Sequence, residues 1–272
     1  MNYVRTILAD PADEKVRLDL ASLDLARIQF PDLEAQPIMD RLNELASHLG
    51  DRLRNFNDGR DFVESAQRYL FDELGFHGNE EDYYDPLNSC LNQVLERRTG
   101  IPVTLSVLYM EIARRLAMPV FGIGLPRHFV IEFNDGNYAT YIDPYHGGRT
   151  VTPRECFMLA GSRVADPSLL QRVSNKDIVR RMVQNLHRGY MRRNDWPRAV
   201  ETLDLLLLGN TAAPPGLAGL HKLRGLLLLE LHRYHDSRVD LEKYLALEPE
   251  ATDRDEIRKQ LASIHRWLGR MN

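Results

Sequence analysis

Cys90, His128 and Asp143 supply, in chain order, the three side-chain types of a thiol-based acyl-transfer site. A cysteine attacks a carbonyl only as the thiolate, so such a site needs an imidazole beside the sulfur and a carboxylate that orients the imidazole. These residues support the hypothesis of a cysteine hydrolase, such as a peptidase, or an acyltransferase. The hypothesis requires a fold that brings the sulfur within about 3–4 Å of the ring.

The segment that contains Cys90 predicts a helix over residues 86–98. Asp85 is suited to cap its N-terminus, and Pro86 is suited to its first position, where no backbone N–H is needed. One face of this helix is apolar and consists of Leu87, Cys90, Leu91, Val94 and Leu95. A free cysteine on such a face is commonly a small core residue. A packing role for Cys90 is therefore the alternative to a reactive thiol, and the pattern favours it.

His128 and Asp143 are predicted at the same end of a two-stranded hairpin. Alternating residues over 128–133 and 138–143 indicate the two strands, and Asp135-Gly136 between them is a strong turn signal. Antiparallel pairing then allows a hydrogen bond between the imidazole and the carboxylate. Such a pair fits a catalytic imidazole held in one tautomer, and it fits equally a buried pair that only satisfies its own polar groups.

The surrounding segments predict a mixed α+β core flanked by helices. A helix over 102–116 is apolar enough to be the central buried helix, and a strand over 119–124 follows it. Further helices are predicted before Gly75, which ends the last of them, and a short helix near 153–160 is expected to pack Cys156. We therefore expect an N-terminal helical region over 1–84 packed on a core over 85–170, followed by an all-α tail over 171–272.

The tail carries an internal repeat. Trp196, Ala199, Leu203 and Leu207 correspond to Tyr234, Ser237, Leu241 and Leu245 at a constant offset of 38 residues. A tetratricopeptide (TPR) unit has about 34 residues, which leaves a lengthened loop at 209–216 that includes Pro214-Pro215. A last helix is predicted to cap the stack with Ile257, Leu261, Ile264 and Leu268. A TPR-like tail docks a protein or peptide partner; a generic helical tail is the alternative.

Composition and the remaining motifs exclude several classes of function. The net charge of −4 and the scattered arginines provide no basic surface for nucleic acid. No apolar segment is long enough to span a membrane, and the two cysteines form no disulfide framework, so we expect a soluble, cytoplasmic protein. No cofactor is expected because no glycine-rich phosphate loop is present. No metal is expected either, because His232 and His235 lack a third ligand at a suitable spacing.

One longer stretch resembles a known family. Its marks are Leu91-Asn92-Gln93-Val94-Leu95-Glu96-Arg97-Arg98-Thr99-Gly100-Ile101-Pro102, Leu105-Ser106-Val107-Leu108-Tyr109, His128-Phe129 and Ile142-Asp143-Pro144. They resemble a bacterial family, named after an invasion-gene regulator, that joins a transglutaminase-like core to trailing tetratricopeptide repeats. The resemblance covers essentially the whole chain. It implies a papain-like α+β core with a central helix and a small antiparallel sheet, and it leaves regulatory, adaptor and peptidase-like roles open.

The resemblance also implies where a nucleophile would lie. An active transglutaminase-like site has Gly-x-Cys at the start of its central helix; Gly100 matches, but Pro102 occupies the cysteine position. Proline has no nucleophilic atom, and Thr104 faces another side of the helix. We therefore favour a non-catalytic protein that acts by binding, with the triad of Cys90, His128 and Asp143 as the alternative. The expected cleft residues are Pro102, Thr104, Arg127 and Glu132.

Overall fold

The part of the chain that carries the candidate residues combines helices with two small β-sheets. The structure is a computed structural model and describes residues 2–10, 16–208 and 214–269. The chain divides into a first unit of residues 1–7 and 11–185 and a second unit of residues 8–10 and 186–272. The boundaries expected after residues 84 and 170 stay a prediction.

The described helices and strands agree with a mixed α+β core and a helical C-terminal region. The α-helices are α1 (Asn2–Ala9), α2 (Leu18–Ala26), α3 (Gln36–Gly50), α4 (Gly59–Gln67), α5 (Leu91–Arg97), α6 (Pro102–Arg115), α7 (Pro153–Leu159), α8 (Asn175–Arg192), α9 (Trp196–Leu208), α10 (Pro214–Glu230), α11 (Tyr234–Leu247) and α12 (Arg254–Leu268). The strands are β1 (His77–Gly78), β2 (Thr99–Gly100), β3 (Val120–Ile123), β4 (Val130–Asn134), β5 (Ala139–Asp143) and β6 (Arg149–Val151). Strands β1 and β2 pair in parallel, and β3 to β6 form an antiparallel sheet in chain order. None of the described helices has the length and apolar character needed to cross a membrane.

Helix α6 is the central helix of the first unit. Ile101 has extended backbone at its N-cap, and Pro102 occupies the first turn, where a missing N–H leaves no hydrogen bond unmade. Every residue from 102 to 113 is buried, and the helix contacts α2, α3, β3 and β4. The predicted central buried helix is confirmed. Its burial extends beyond one apolar face because both helices and strands pack against it.

Buried charges connect α2 to α6. The Oδ2 atom of Asp19, a fully buried residue, accepts hydrogen bonds from the guanidinium groups of Arg17, Arg114 and Arg115 at 2.7, 3.1 and 2.8 Å. Burial alone raises the pKa of this carboxyl, but the hydrogen bonds from Arg17 and Arg115 outweigh it and lower the pKa to about 2. Asp19 is therefore ionised and paired at neutral pH.

One predicted element differs from the observed one, and one strand of the antiparallel sheet was not predicted. The predicted helix over 86–98 is interrupted: Pro86–Ser89 forms a 3₁₀ turn, Cys90 is extended, and α5 begins at Leu91. Asp85 does cap the 3₁₀ turn, since its Oδ1 accepts the N–H of Leu87 at 3.1 Å. Strand β6 was not predicted, because three residues are too few to show an alternating pattern.

The second unit contains the predicted repeat. Helix α9 begins at Trp196 and α11 begins at Tyr234, the two residues that the offset of 38 relates. Gly225 of α10 is needed for close packing of α10 on α11, because a Cβ atom at this position would lie 2.9 Å from the side chain of Leu241. The expected cap is also present, since α12 buries Ile257, Leu261 and Ile264.

The loop between the two repeat units was only partly predicted. Residues 209–213 of the expected loop lie outside the described residues. Helix α10 begins at Pro214, so Pro214-Pro215 lie in its first turn and not in the loop. The physical reason is that the first helical turn has free N–H positions and therefore accepts proline.

Candidate functional site

The predicted contact between His128 and Asp143 is confirmed. Asp143 is the last residue of β5, and Ile131 of β4 pairs with Ile142, which brings the segment before β4 to the same end of the sheet. Nε2 of His128 lies 2.9 Å from Oδ1 of Asp143. The imidazole is 7% exposed and the aspartate is fully buried. Because Nε2 is engaged by the carboxylate, Nδ1 is the ring nitrogen left to meet a thiol or a substrate proton.

Asp143 is an acceptor for several groups at once. Its Oδ1 also accepts the backbone N–H groups of Tyr145 and His146 at 3.2 and 3.4 Å, because Asp143 caps the 3₁₀ turn Pro144–His146. Its Oδ2 lies 2.7 Å from Nδ1 of His146. Burial by itself raises the pKa of Asp143, but the hydrogen bonds from His128 and His146 outweigh it and lower the pKa. The group is therefore a buried carboxylate between two imidazoles.

His146 is a site residue that the sequence analysis missed. Its ring centroid lies 5.5 Å from that of His128, and its side chain is 39% exposed. The signal that points to it is the Asp-Pro-x-His spacing: an aspartate that caps a single turn holds the third residue after it close to its own side chain. Asp143-Pro144 entered the sequence prediction only as a mark of the family resemblance, and Asp143 only as the partner of His128.

A second missed residue, Arg181 of α8, holds the loop that carries His128. Its Nη2 donates to the carbonyl oxygens of Leu125 and His128 at 2.8 and 2.7 Å. The N–H of His128 in turn donates to the carbonyl oxygen of Leu125 at 3.3 Å. The two bonds of Arg181 join residues more than 50 positions apart, so no local sequence pattern indicates them.

His146 opens onto a surface groove of about 640 Å³. One part of the groove wall is formed by residues 77–81, Arg97 and Thr99, and another part by residues 145–147. Tyr145 is held in the wall, because its Oη donates to the carbonyl oxygen of Asn79 at 3.0 Å and its ring occupies the space that a side chain at Gly78 would need. The groove therefore gives solvent access to the Asp143 network through His146.

The surroundings of Cys90 do not favour the thiolate form that a nucleophilic cysteine needs. It is fully buried, and its Sγ contacts the carbonyl oxygen of Pro86 at 3.5 Å. Burial, together with the negative charge of Asp85, raises the pKa of the thiol to about 12. The predicted burial of Cys90 is confirmed, and its polar contact is with Pro86 and not with His128.

Comparison with known proteins assigns both parts of the chain. Residues 36–184 match the transglutaminase-like superfamily, and residues 186–262 match the tetratricopeptide repeat. The chain belongs to the transglutaminase-like superfamily. The match bears out the core that the sequence indicated, and the second match bears out the repeats. A tetratricopeptide segment indicates a role in protein–protein interaction.

Relatives of this superfamily member include bacterial and animal proteins. A UPF0162 protein of Xylella fastidiosa (strain 9a5c) is 33% identical over 265 residues, which are 94% of this chain and 93% of that protein. A UPF0162 protein of Vibrio cholerae is 28% identical over 205 residues, 74% of this chain and 76% of that protein. F-box only protein 21 of Mus musculus is 39% identical over 215 residues, 68% of this chain but 34% of that protein. No solved structure matches the chain.

The position expected for the superfamily's nucleophile lies in the first turn of α6. Pro102 is buried there and offers no nucleophilic atom. The hydroxyls of Thr104 and Ser106 are buried without a hydrogen-bond partner among the described residues. Neither hydroxyl is therefore hydrogen-bonded to the imidazole of His128 in the described part of the chain, and that imidazole is bonded to Asp143. This helix therefore presents no activated nucleophile to the His128–Asp143 pair.

Two other expected cleft residues, Arg127 and Glu132, lie near His128 in sequence. Arg127 is exposed and has left-handed backbone with φ of 65°. Glu132 is half-buried, and its Oε2 accepts a hydrogen bond from Nε of Arg172 at 2.6 Å. Burial raises the pKa of Glu132, and the bonds from Arg172 and Asn134 lower it overall. Neither residue lines the groove beside His146, so their place in a ligand cleft stays a prediction.

Of the two cysteines, Cys156 is the one whose thiol pKa is affected by the charge of Asp143. Cys156 is fully buried in an apolar cluster that includes Val130 and Val151. Burial raises the pKa of its thiol to about 11, and the negative charge of Asp143 adds to this effect. Both thiols are therefore held in the protonated form at neutral pH.

Proposed function

We propose that this protein is a non-catalytic member of the transglutaminase-like superfamily that regulates a protein or peptide partner by binding it. The observation that carries the proposal is the state of Cys90: it is fully buried, and its thiol pKa is raised to about 12. A cysteine nucleophile needs an accessible thiolate. The position from which an active relative would supply one holds Pro102. The His128–Asp143 pair is then retained for structure or binding.

The second unit offers a surface suited to a partner. The rings of Tyr234 and Trp267 lie 4.2 Å apart, and Trp267 is 43% exposed. With Leu229 and Ile264 they line a mainly apolar pocket of about 380 Å³. Exposed aromatic residues beside apolar pockets are frequent anchors in protein interfaces. We infer that a partner inserts an apolar side chain here.

The first experiment tests the absence of catalysis. Purified full-length protein is incubated with fluorogenic esters and peptides, and separately with a glutamine peptide and a primary amine, beside Cys90→Ala and His128→Ala. We expect the same background rate in all three proteins. Turnover that disappears in Cys90→Ala would overturn the proposal, because loss of a working nucleophile reduces the rate by about 10³-fold or more.

The second experiment tests the binding surface. Full-length wild type and Trp267→Ala are used to isolate partners from an extract of the source cells, and the affinity of each purified partner is then measured. The control is Phe56→Ala, which removes another exposed aromatic side chain, from the first unit. We expect Trp267→Ala to bind about 10-fold or more weakly and the control to bind normally. Equal affinity of both variants for every partner would contradict this surface.

The second candidate function is a cysteine hydrolase or acyltransferase that uses Cys90, His128 and Asp143. The observation that favours it is the orientation of His128, whose Nε2 faces Asp143 and whose Nδ1 is left for a thiol. It would require a rearrangement of Pro86–Ser89 that releases Cys90 from its buried position. The activity comparison above decides between the two functions.

The proposal includes a location and a regulatory role. A reducing compartment such as the cytoplasm is supported by Cys90 and Cys156, which are both free and buried. The regulatory role is supported by the resemblance to the family named after an invasion-gene regulator. Cell fractionation with an antibody against the chain tests the location, and recovery outside the cytoplasm would contradict it.

A further inference from the structure

We propose that His128, Asp143 and His146 form a binding site for a divalent transition-metal ion, for which Zn²⁺ is the best match. The site does not depend on the proposed partner binding. One nitrogen of each ring and one carboxylate oxygen all lie within 4.8 Å of one another. Imidazole nitrogen and carboxylate oxygen are common zinc ligands, and three protein ligands with a fourth position open is a common zinc arrangement.

The three candidate ligand groups already lie close together. Nε2 of His128 and Nδ1 of His146 face the two oxygens of the same carboxylate, at 2.9 and 2.7 Å. Ligands that lie about 2.0–2.1 Å from a tetrahedral zinc ion are about 3.3 Å apart. An ion therefore requires the two hydrogen-bonded N···O separations to grow by about half an ångström. Any longer separation among the three ligand atoms, which reaches at most 4.8 Å, must shorten to about 3.3 Å. Each neutral ring then carries its proton on the nitrogen that does not bind the ion.

The protein holds two of the three ligands firmly. The Asp143 carboxylate is oriented by the N–H groups of Tyr145 and His146, and the backbone of His128 is held by Arg181. Such outer bonds fix the direction of metal ligands and raise affinity. His146 is the more exposed ligand and lies on a short 3₁₀ turn, so it is the side chain that can adjust to the ion.

The fourth position of the ion would face the groove. His146 and the adjacent Tyr145 and Gly147 line the groove, whereas His128 and Asp143 are buried behind them. A water molecule or an oxygen or nitrogen donor of a ligand in the groove can therefore reach the ion. Two imidazole ligands disfavour Mg²⁺ and Ca²⁺, which prefer oxygen, and favour zinc-like ions.

The experiment measures metal affinity on the untagged, chelator-treated full-length chain. Zn²⁺ is titrated in competition with a chromophoric chelator, and Co²⁺ is titrated to record the absorption bands of a tetrahedral site. The variant is His146→Ala. The matched control is His77→Ala, which removes an exposed imidazole from the same groove that does not contact Asp143. Circular dichroism checks that each variant is folded.

We expect one Zn²⁺ per chain in wild type and in the control, and at least about 100-fold weaker binding in His146→Ala. His146→Cys should restore binding and add a sulfur-to-cobalt charge-transfer band, which separates loss of a ligand from loss of the fold. The proposal is overturned if wild type binds no stoichiometric zinc, if His146→Ala binds as tightly as wild type, if the control loses binding equally, or if His146→Cys does not restore it.

Discussion

Cys90 is expected to resist alkylation in the folded protein, and the loss of His128 should not change its rate. Burial raises the thiol pKa from 9.0 to about 12. Each pKa unit is a factor of ten, so the thiolate fraction at pH 7 is about 1,000-fold below that of an ordinary thiol. An activated cysteine, with a pKa of about 3.5–7.5, would be largely ionised at the same pH. The two interpretations therefore differ by on the order of 10⁵ in the fraction of reactive thiolate at pH 7.

The assay is alkylation with iodoacetamide between about pH 6 and about pH 9, followed by mass spectrometry of the peptide that contains Cys90. Wild type and His128→Ala are compared, and Cys156 serves as a second buried thiol in each sample. We expect slow labelling that rises with pH without reaching a plateau, and rapid labelling of both cysteines in urea. Fast labelling of Cys90 below pH 7 that falls in His128→Ala would refute the reasoning and support the triad.

Three further predictions concern stability. Asp19→Asn should lower the free energy of unfolding at pH 7 by about 2–3 kcal/mol, since folding lowers the pKa of Asp19 from 3.8 to about 2. Urea titrations should show nearly the full loss above about pH 4 and a loss that fades as the pH falls through about 2. A loss that is constant with pH would contradict the pairing. Gly148→Ala should lower the free energy of unfolding by about 2–4 kcal/mol and Gly147→Ala by about 1 kcal/mol, as measured by thermal denaturation. Both residues have positive φ, but only a side chain at position 148 would overlap an aromatic ring. Equal losses would exclude this packing effect. Gly219→Ala should stabilise α10 by up to about 1 kcal/mol, because no described atom lies within 4 Å of its added Cβ, whereas Gly225→Ala should destabilise it; a gain in both variants would refute the close approach of α10 to α11.

Elements that depend on nearby residues were predicted well. The helix start at Ile101-Pro102, the turn at Asp135-Gly136 and the offset between Trp196 and Tyr234 each reflect backbone preferences or apolar spacing within one element or one repeat. The break at Cys90 was not predicted, because the apolar stripe continues across it and does not reveal that the chain leaves helical geometry there. Apolar periodicity thus indicates where a helix or strand lies more reliably than where it is interrupted.

The candidate site was predicted only in part. Antiparallel pairing was sufficient to place His128 beside Asp143, since residues at the two ends of a hairpin are brought together by register. The expectation that the chain holds no metal site considered His232 and His235, which are neighbours in sequence. His146 was not among the predicted site residues, because its position depends on the turn that Asp143 caps. Arg181 was not among them either, because its bonds to the His128 loop come from a distant helix.

The sequence by itself determined which atoms the protein possesses: Pro102 at the position where the family resemblance predicts the thiol of an active relative, and histidine and aspartate residues at the ends of two predicted strands. These residue identities are fixed by the covalent structure and do not depend on how the chain packs. Only the tertiary structure decided that the Cys90 thiol is buried with a raised pKa and that two imidazoles share one carboxylate. Solvent exposure and the distance between groups far apart in the chain arise from packing, and they control whether a given side chain can ionise, attack or bind an ion.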